Sequence, residues 1–421
     1  MNGNRLGELI KELRLAKAKE SGRRISQREV AAKLNISPGA YGSWESGRTK
    51  PDIEILPQVA DYFKVSIDFL LGHTAGVPAN QERITAATGL VWSSRRRPQT
   101  ENEERGIELW RRLAQGENLE AIATALGIHS LREIDCWVKD VIYTDMIDIE
   151  PSPLDILLAQ QVQRAFGLRE VFVVPVTAEA LPLLRNILLG EAARIYFRTH
   201  VVHEGMKVGI AGGYSVSRMI YSLRRGECRS VEIYPLAISP AIEAVSLDSN
   251  SLAGAFAYRH DGYDVRGYAL QYASSSDWKK AKDVRQFAPT LRILDKARSV
   301  DIAFMGIGAV SGHRRASVDL LSEVLAARGL DFEMMRERGA VGDVLYHLID
   351  QDGKQVAPEI NEVICSIELE NLQRMVQWGV PVVVIASGER KAEIARAAIK
   401  GGYVNVLIID DELARAMLKS A

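Results

Sequence analysis

Six short apolar runs recur between residues 150 and 421, each set off from the next by stretches of helical periodicity. They read VFVVPV (171–176), KVGIAG (207–212), SVEIYPL (230–236), VDIAFMGI (300–307), VPVVVIA (380–386) and VNVLIID (404–410). A strand with one wet face alternates apolar and polar residues, whereas a strand that is apolar along its length needs cover on both faces. Such strands alternating with amphipathic helices predict an α/β domain with a mainly parallel sheet, sandwiched by helices. No solenoid repeat or low-complexity tract competes with that reading.

The first 149 residues follow a different, helical period, so the chain is predicted to be multidomain. Residues 1–73 read as five short helices. Within residues 5–19, Leu6, Ile10, Leu13 and Ala16 fall on one helical face. Ser26, with Glu29 three positions on, makes a capping box for a second helix that runs to about Leu34. Ser37 caps a third helix with Pro38 in its first position, and Gly47 ends it. Residues 53–63 and 67–71 supply two more, the last stopped by Gly72. Residues 74–100 read as a linker. Its SSRRRP stretch (93–98) is either a solvated tether or an extra phosphate contact. Residues 101–149 read as a second small helical domain. Ile107, Leu109 and Leu113 mark one helix, Leu119–Leu126 a second, Gly127 a turn, and residues 131–138 a third.

Charge sharpens the division. The whole chain of 421 residues carries a net charge of −1, yet residues 1–50 hold 11 Lys/Arg against 5 Asp/Glu. A small basic module on a nearly neutral body is a footprint of DNA binding. The longest apolar run, 380–386, is far too short for a bilayer, and the N-terminus lacks a signal-peptide core. No membrane association and a cytoplasmic location are therefore expected. The three cysteines, Cys136, Cys228 and Cys365, stand singly, a spacing that suggests neither a disulfide framework nor a metal site. No cofactor is expected.

The segment SQREVAAKL (26–34), then Ser37, WESGRTKP (44–51) and VSIDFLLG (65–72) resembles the Cro/C1 repressor (XRE) family of helix-turn-helix domains. The resemblance implies that Gln27 donates to a DNA phosphate, and that Arg28, Arg48 and Lys50 make further backbone contacts. Ser37, Pro38, Gly39, Gly42 and Ser43 match the positions that face bases. Most are too small for bidentate contacts; Ser43 reaches one hydrogen bond and Pro38 a thymine methyl. Specificity is then expected to lean on DNA shape. Tyr41 matches a position that packs inward, and Arg14 and Glu45 match a pair tying the first helix to the third.

Residues 103–142 and 150–170 resemble the N-terminal part of SorC-type sugar-responsive regulators, where this module reads DNA. Here residues 101–142 carry 9 Asp/Glu against 5 Lys/Arg, and Glu133 and Asp135 would repel phosphates. A retired reader that packs or dimerises is expected. Residues 150–421 resemble the SorC sugar-binding domain, which shares its fold with glucosamine-phosphate deaminases and ribose-phosphate isomerases. Four motifs carry this. VGIAGGYS (208–215) places Gly212, Gly213, Tyr214 and Ser215 at a strand-to-helix turn where backbone N–H groups approach an anion. GIGAVSGHRR (306–315) places Arg314 and Arg315 at the family's phosphate contacts, or simply at a solvated helix start. GAVGD (339–343) puts Asp343 where a carboxylate binds ligand hydroxyls or caps a local turn. GERKA (388–392) puts Lys391 where a lysine meets phosphate, or on the surface. The turn after the third apolar run, Ala237-Ile238-Ser239-Pro240, departs from the glycine-rich pattern, and Tyr214 is bulkier than usual.

Together these imply a regulator, a repressor more readily than an activator, that binds a duplex operator as a homo-oligomer (dimer or tetramer). Its ligand would be a phosphorylated sugar or similar anion. The rival class is a sugar-phosphate deaminase or isomerase. His313, in Ser311-Gly312-His313, holds only a shifted remnant of the deaminase motif, without its aspartate. A third reading is a regulator that answers to a nucleotide or a protein.

Overall fold

The computed structural model describes residues 3–20, 23–51, 55–63, 84–85, 91–94, 98–115, 117–128, 133, 137, 141, 146–150, 154–176, 182–201, 203–238, 247–270, 288–310, 321–322, 325–326, 328–362 and 364–419. The chain divides into two compact units, Met1–Glu82 and Arg83–Ala421.

The first unit contains α1 (Gly3–Glu20), α2 (Gln27–Lys33), α3 (Pro38–Glu45) and α4 (Leu56–Phe63). Both expected caps are present: the Ser26 hydroxyl accepts from Glu29 N–H at 3.2 Å and the Ser37 hydroxyl from Ala40 N–H at 3.1 Å. The capping box closes on one side only, because the Glu29 carboxylate accepts from Arg23 at 2.7 Å instead. Ile10, Val30, Ala31, Tyr41, Trp44 and Val59 form the core, with Tyr41 turned inward as expected. The fifth helix expected at 67–71 lies outside the described residues.

The second unit begins with β1 (Ile84–Thr85) and β2 (Val91–Ser94), continues through α5 (Glu101–Ala114) and α6 (Leu119–Leu126), and returns in β3 (Ile147–Glu150). β2 pairs antiparallel with both β1 and β3. Part of the stretch read as linker is thus strand. Tertiary pairing across more than fifty residues makes it so, and no local apolar pattern announces it. Gly127 ends α6 in the left-handed conformation, as its position suggested. Of the third helix, residues 133 and 137 are described and helical.

The remainder is the expected α/β domain. In order come α7 (Ile156–Phe166), β4 (Glu170–Val174), α8 (Pro182–His200), β5 (Met206–Ile210), α9 (Tyr214–Ser222), β6 (Val231–Pro235), β7 (Ala237–Ile238), α10 (Ser249–Arg259), β8 (Arg266–Gly267), α11 (Ala288–Ala297), β9 (Ile302–Met305) and β10 (Gly308–Ala309). Then follow α12 (Phe332–Glu337), β11 (Ala340–Val344), β12 (His347–Asp350), β13 (Cys365–Ser366), α13 (Leu369–Gln377), β14 (Val382–Ala386), α14 (Ala392–Lys400), β15 (Val406–Asp410) and α15 (Asp411–Leu418). Seven strands form one sheet in the order β4-β15-β14-β9-β5-β6-β8, each neighbouring pair parallel.

Strand residues alternate between two cores. Val173, Ala303, Met305, Val384 and Ile409 pack with α7 and α11–α15, while Val174, Ile302, Phe304, Val383 and Ile408 pack with α8, α9 and α10. The second core extends to Ile107, Trp110, Ile122 and Trp137, so the small helical module shares a hydrophobic layer with the domain. Ala237-Ile238, the departure noted in the sequence, forms a two-residue strand paired with β13.

Strand order decides where a ligand fits. From β5 the chain moves outward through β6 to β8, then returns to β9 and proceeds the other way through β14 to β15. The direction reverses between β5 and β9. In open parallel sheets the crevice at the carboxyl ends of two such strands is where ligands bind.

Candidate effector and DNA-binding sites

The loop after β5 carries Gly212 and Gly213. Gly213 caps α9 with φ +114°, a conformation open to glycine, and its N–H donates to the Leu247 carbonyl at 2.9 Å. The first turn of α9 therefore starts beside the switch point with its N–H groups toward the crevice, a favourable environment for an anion. Ser215 is buried there, whereas Tyr214 is 43% exposed.

Across the switch point, β9 ends at Met305 and the chain passes Gly306 into β10. β10 pairs with β11 so that Gly308 faces Asp343. The Glu389–Lys391 turn, which follows β14, packs against β10. No described atom lies within 4 Å of the place a Cβ would take at Gly213, Gly306 or Gly388. The three glycines follow the neighbouring strands β5, β9 and β14, and Asp343 and Lys391 lie close enough to feel each other's charge.

Both charged side chains are half-buried. Burial pushes the Asp343 carboxyl up to about 6, opposed by the Tyr346 N–H and by the Lys391 charge. Burial lowers the Lys391 ammonium, opposed by Asp343 and Asp410. The turn-capping role weighed for Asp343 is present: one oxygen accepts from Tyr346 N–H at 3.2 Å. Arg314, Arg315 and His313 lie outside the described residues.

Two contributors were not singled out in the sequence. Asp410 ends β15 fully buried, accepts from Gly388 N–H at 3.0 Å and caps α15 through Leu413 N–H at 2.9 Å. Arg185 lies 3.6 Å away. Burial raises the Asp410 carboxyl above its usual range while the two N–H groups work against the rise. Asp410 thereby pins the loop that leads to Lys391. Tyr346 is the other. Its hydroxyl would stand 3.3 Å from a Cβ placed on Gly212. A carboxylate closing an apolar strand was the available signal for Asp410; nothing local marked Tyr346.

In the first unit the Arg14 guanidinium grips Glu45, with Nε donating at 2.6 Å and Nη2 at 2.9 Å, while Nη1 donates to the Ile25 carbonyl at 3.0 Å. Gln27 Nε2 donates to the same carboxylate at 2.7 Å, which fixes one amide hydrogen and leaves a second. Burial by itself would raise Glu45, but the Arg14 fork and the Gln27 amide outweigh it and hold the carboxyl below its usual range. Gln27, Arg28, Ser37, Pro38, Gly39, Arg48 and Lys50 are exposed, and Gly42 and Ser43 half-exposed. The open face of α3 is correspondingly smooth. In the second helical module, by contrast, basic groups are engaged internally. Arg112 meets Glu108 at 2.9 Å and Glu117 at 3.1 Å, and Arg105 lies over the Trp137 ring at 4.3 Å.

A helix-turn-helix module followed in the chain by a doubly wound α/β domain defines a class: a helix-turn-helix protein carrying a small-ligand domain. Residues 153–419 match the family model described as "Putative sugar-binding domain", and residues 15–70 match a helix-turn-helix model of the XRE type. The chain belongs to that sugar-binding-domain family, of the SorC type.

Among its relatives is the transcriptional regulator LsrR of Enterobacter sp. (strain 638), 25% identical over 266 residues, or 63% of this chain and 76% of the relative. LsrR of Escherichia coli (strain K12) is 36% identical over 130 residues, 30% of this chain, and the match spans only 38% of that relative's length. The full-length sorbitol operon regulator SorC from Klebsiella pneumoniae has the same fold, with a TM-score of 0.54 and 20% identity over 76% of this chain and all of its own. Among the described residues no helix is long and apolar enough to cross a membrane.

Proposed function

We propose that the chain is a cytoplasmic transcription regulator whose operator binding is set by a small anionic effector, in the simplest case a phosphorylated sugar. The observation that carries this reading is the convergence of the α9 N-terminus, Asp343 and Lys391 at the β5/β9 switch point, behind a basic helix-turn-helix unit. The anion sits on the first turn of α9 within reach of Lys391, and Asp343 accepts hydrogen bonds from ligand hydroxyls. Arg314 and Arg315 complete the phosphate contacts. The role is binding and not turnover, in keeping with relatives named as regulators.

On DNA, two copies present α3 to adjacent half-sites, because one small reader buries too little surface for tight specific binding. Gln27, Arg28, Arg48 and Lys50 hold phosphates, while Ser37, Pro38, Gly39, Gly42 and Ser43 line the groove. Repression follows if the bound oligomer occludes a promoter. The acidic second module packs or dimerises. The effector acts only through its difference in affinity between two geometries of the homo-oligomer.

Two substitutions test the two halves. Gln27→Ala is expected to lower affinity about fivefold for operator and non-operator duplexes alike while leaving the salt dependence nearly unchanged, because the neutral amide displaces no counterion. A loss confined to one sequence would contradict the phosphate role. Asp343→Ala is expected to keep ligand-free DNA affinity unchanged and to remove the response to sugar phosphates. Ligand-responsive operator binding of wild-type strength in that variant would overturn the effector site.

A further inference from the structure

β11 and β12 form a hairpin in which Val344 pairs with His347, so Leu345 and Tyr346 make a two-residue loop. Their φ angles are +51° and +68°. Such loops normally use Asn-Gly or Asp-Gly, because side chains that branch from Cβ or carry bulk are strained at positive φ. Here two large residues occupy the loop and both are buried, Leu345 at 4% and Tyr346 at 8% exposure. Strained loops of this kind persist where the surroundings over-determine them, and they cluster at ligand sites.

The surroundings are on hand. Asp343 holds the loop by accepting from Tyr346 N–H at 3.2 Å. The Tyr346 side chain reaches across the switch point to Gly212, where its hydroxyl would lie 3.3 Å from an added Cβ. Gly212 adjoins Gly213, which caps α9. A phenol hydroxyl is thus delivered to the rim of the anion cradle from a different sheet, by the hairpin that also carries Asp343.

We infer that Tyr346 is a specificity-determining residue of the effector site: its hydroxyl donates to an oxygen of the bound anion, and its ring walls the cradle against larger esters. The inference rests on the effector-site reading above. Asp343 acts twice in this arrangement, on ligand hydroxyls and on the backbone that aims Tyr346.

The test is calorimetric titration of the full chain with inorganic phosphate and with pentose and hexose monophosphates, for wild type, Tyr346→Phe and Tyr346→Gly. Tyr346→Phe keeps the ring and should lose about tenfold in affinity for any anion that wild type binds, the effect of one hydrogen bond to a charged group. Tyr346→Gly relieves the positive φ but empties a buried ring site, so it should melt lower than wild type, and in the folded fraction the ratio of affinities between phosphate and its hexose ester narrows. Equal binding of a probe by wild type and Tyr346→Phe, with an unchanged ratio in Tyr346→Gly, would overturn the inference and leave the effector site standing. If wild type binds none of these probes, the effector-site reading falls and the inference with it.

Discussion

Arg14→Ala is expected to cost about 3–5 kcal/mol, the usual penalty for leaving one partner of a buried ion pair uncompensated. A small domain holds only about 5 kcal/mol in reserve, so most molecules should lose the folded first unit and, with it, DNA binding. The geometry justifies the size. Glu45 is 3% exposed at its side chain and Arg14 13%, and the guanidinium donates both to the carboxylate and to the Ile25 carbonyl. Gln27 shares that carboxylate, so the loss reaches a residue assigned to phosphate binding.

The pH dependence distinguishes this mechanism from simple loss of packing. In wild type the Glu45 carboxyl is held below its usual range, so its stabilisation is complete above about pH 4.3 and fades as pH falls through the depressed value. In Arg14→Ala the lone carboxylate is raised by burial, so its penalty is present at neutral pH and shrinks as pH falls toward 5. Hydrogen-exchange protection of the α1–α4 amides at pH 8 and pH 5 checks this: the wild-type pair contributes equally at both, whereas protection in the variant rises at pH 5. Protection in the variant that is equal at the two pH values would remove the ion pair from the account. Arg14→Met with Glu45→Leu should recover much of the loss.

Gly342→Ala is the second large effect, expected at about 2–3 kcal/mol with a loss of effector affinity of about tenfold or more. A Cβ at Gly342 would stand 2.2 Å from the Gly308 carbonyl oxygen and 2.6 Å from Ile394 Cγ1. Neither neighbour can yield freely, since Gly308 is paired into β10 and Ile394 is fully buried in α14. β10 and β11 must separate, and Asp343, next in the chain, moves with them. Thermal melting together with titration of a sugar phosphate checks both parts. An unchanged melting temperature would show that the strands part without cost, and unchanged affinity would uncouple Asp343 from its strand register.

Much of the larger unit could be read in advance because burial on both faces writes itself as unbroken apolar sequence. The six runs became β4, β5, β6, β9, β14 and β15. The seventh strand, Arg266–Gly267, is two exposed residues and carries no such mark. Local chemistry likewise placed Ser37 and Pro38 at the start of α3, while Glu29 was claimed by Arg23, a contact that capping rules do not see. The site divides the same way. Asp343 and Lys391 were reached through motif resemblance, and Gly212 and Gly213 through the strand-to-helix turn. Tyr346 depends on strand order and on a turn conformation that Leu-Tyr would not suggest. Asp410 depends on three chain segments meeting at one carboxylate.

The smooth face of α3 has an evolutionary corollary. At Gly39 a Cβ would meet no described atom within 4 Å, and alanine is the better helix former by about 1 kcal/mol. A longer polar side chain introduced there would project outward without disturbing the packed interior. In the proposed DNA complex Gly39 faces bases, so a single codon change there is expected to alter the preferred DNA sequence, and the position is a natural starting point for retargeting the protein.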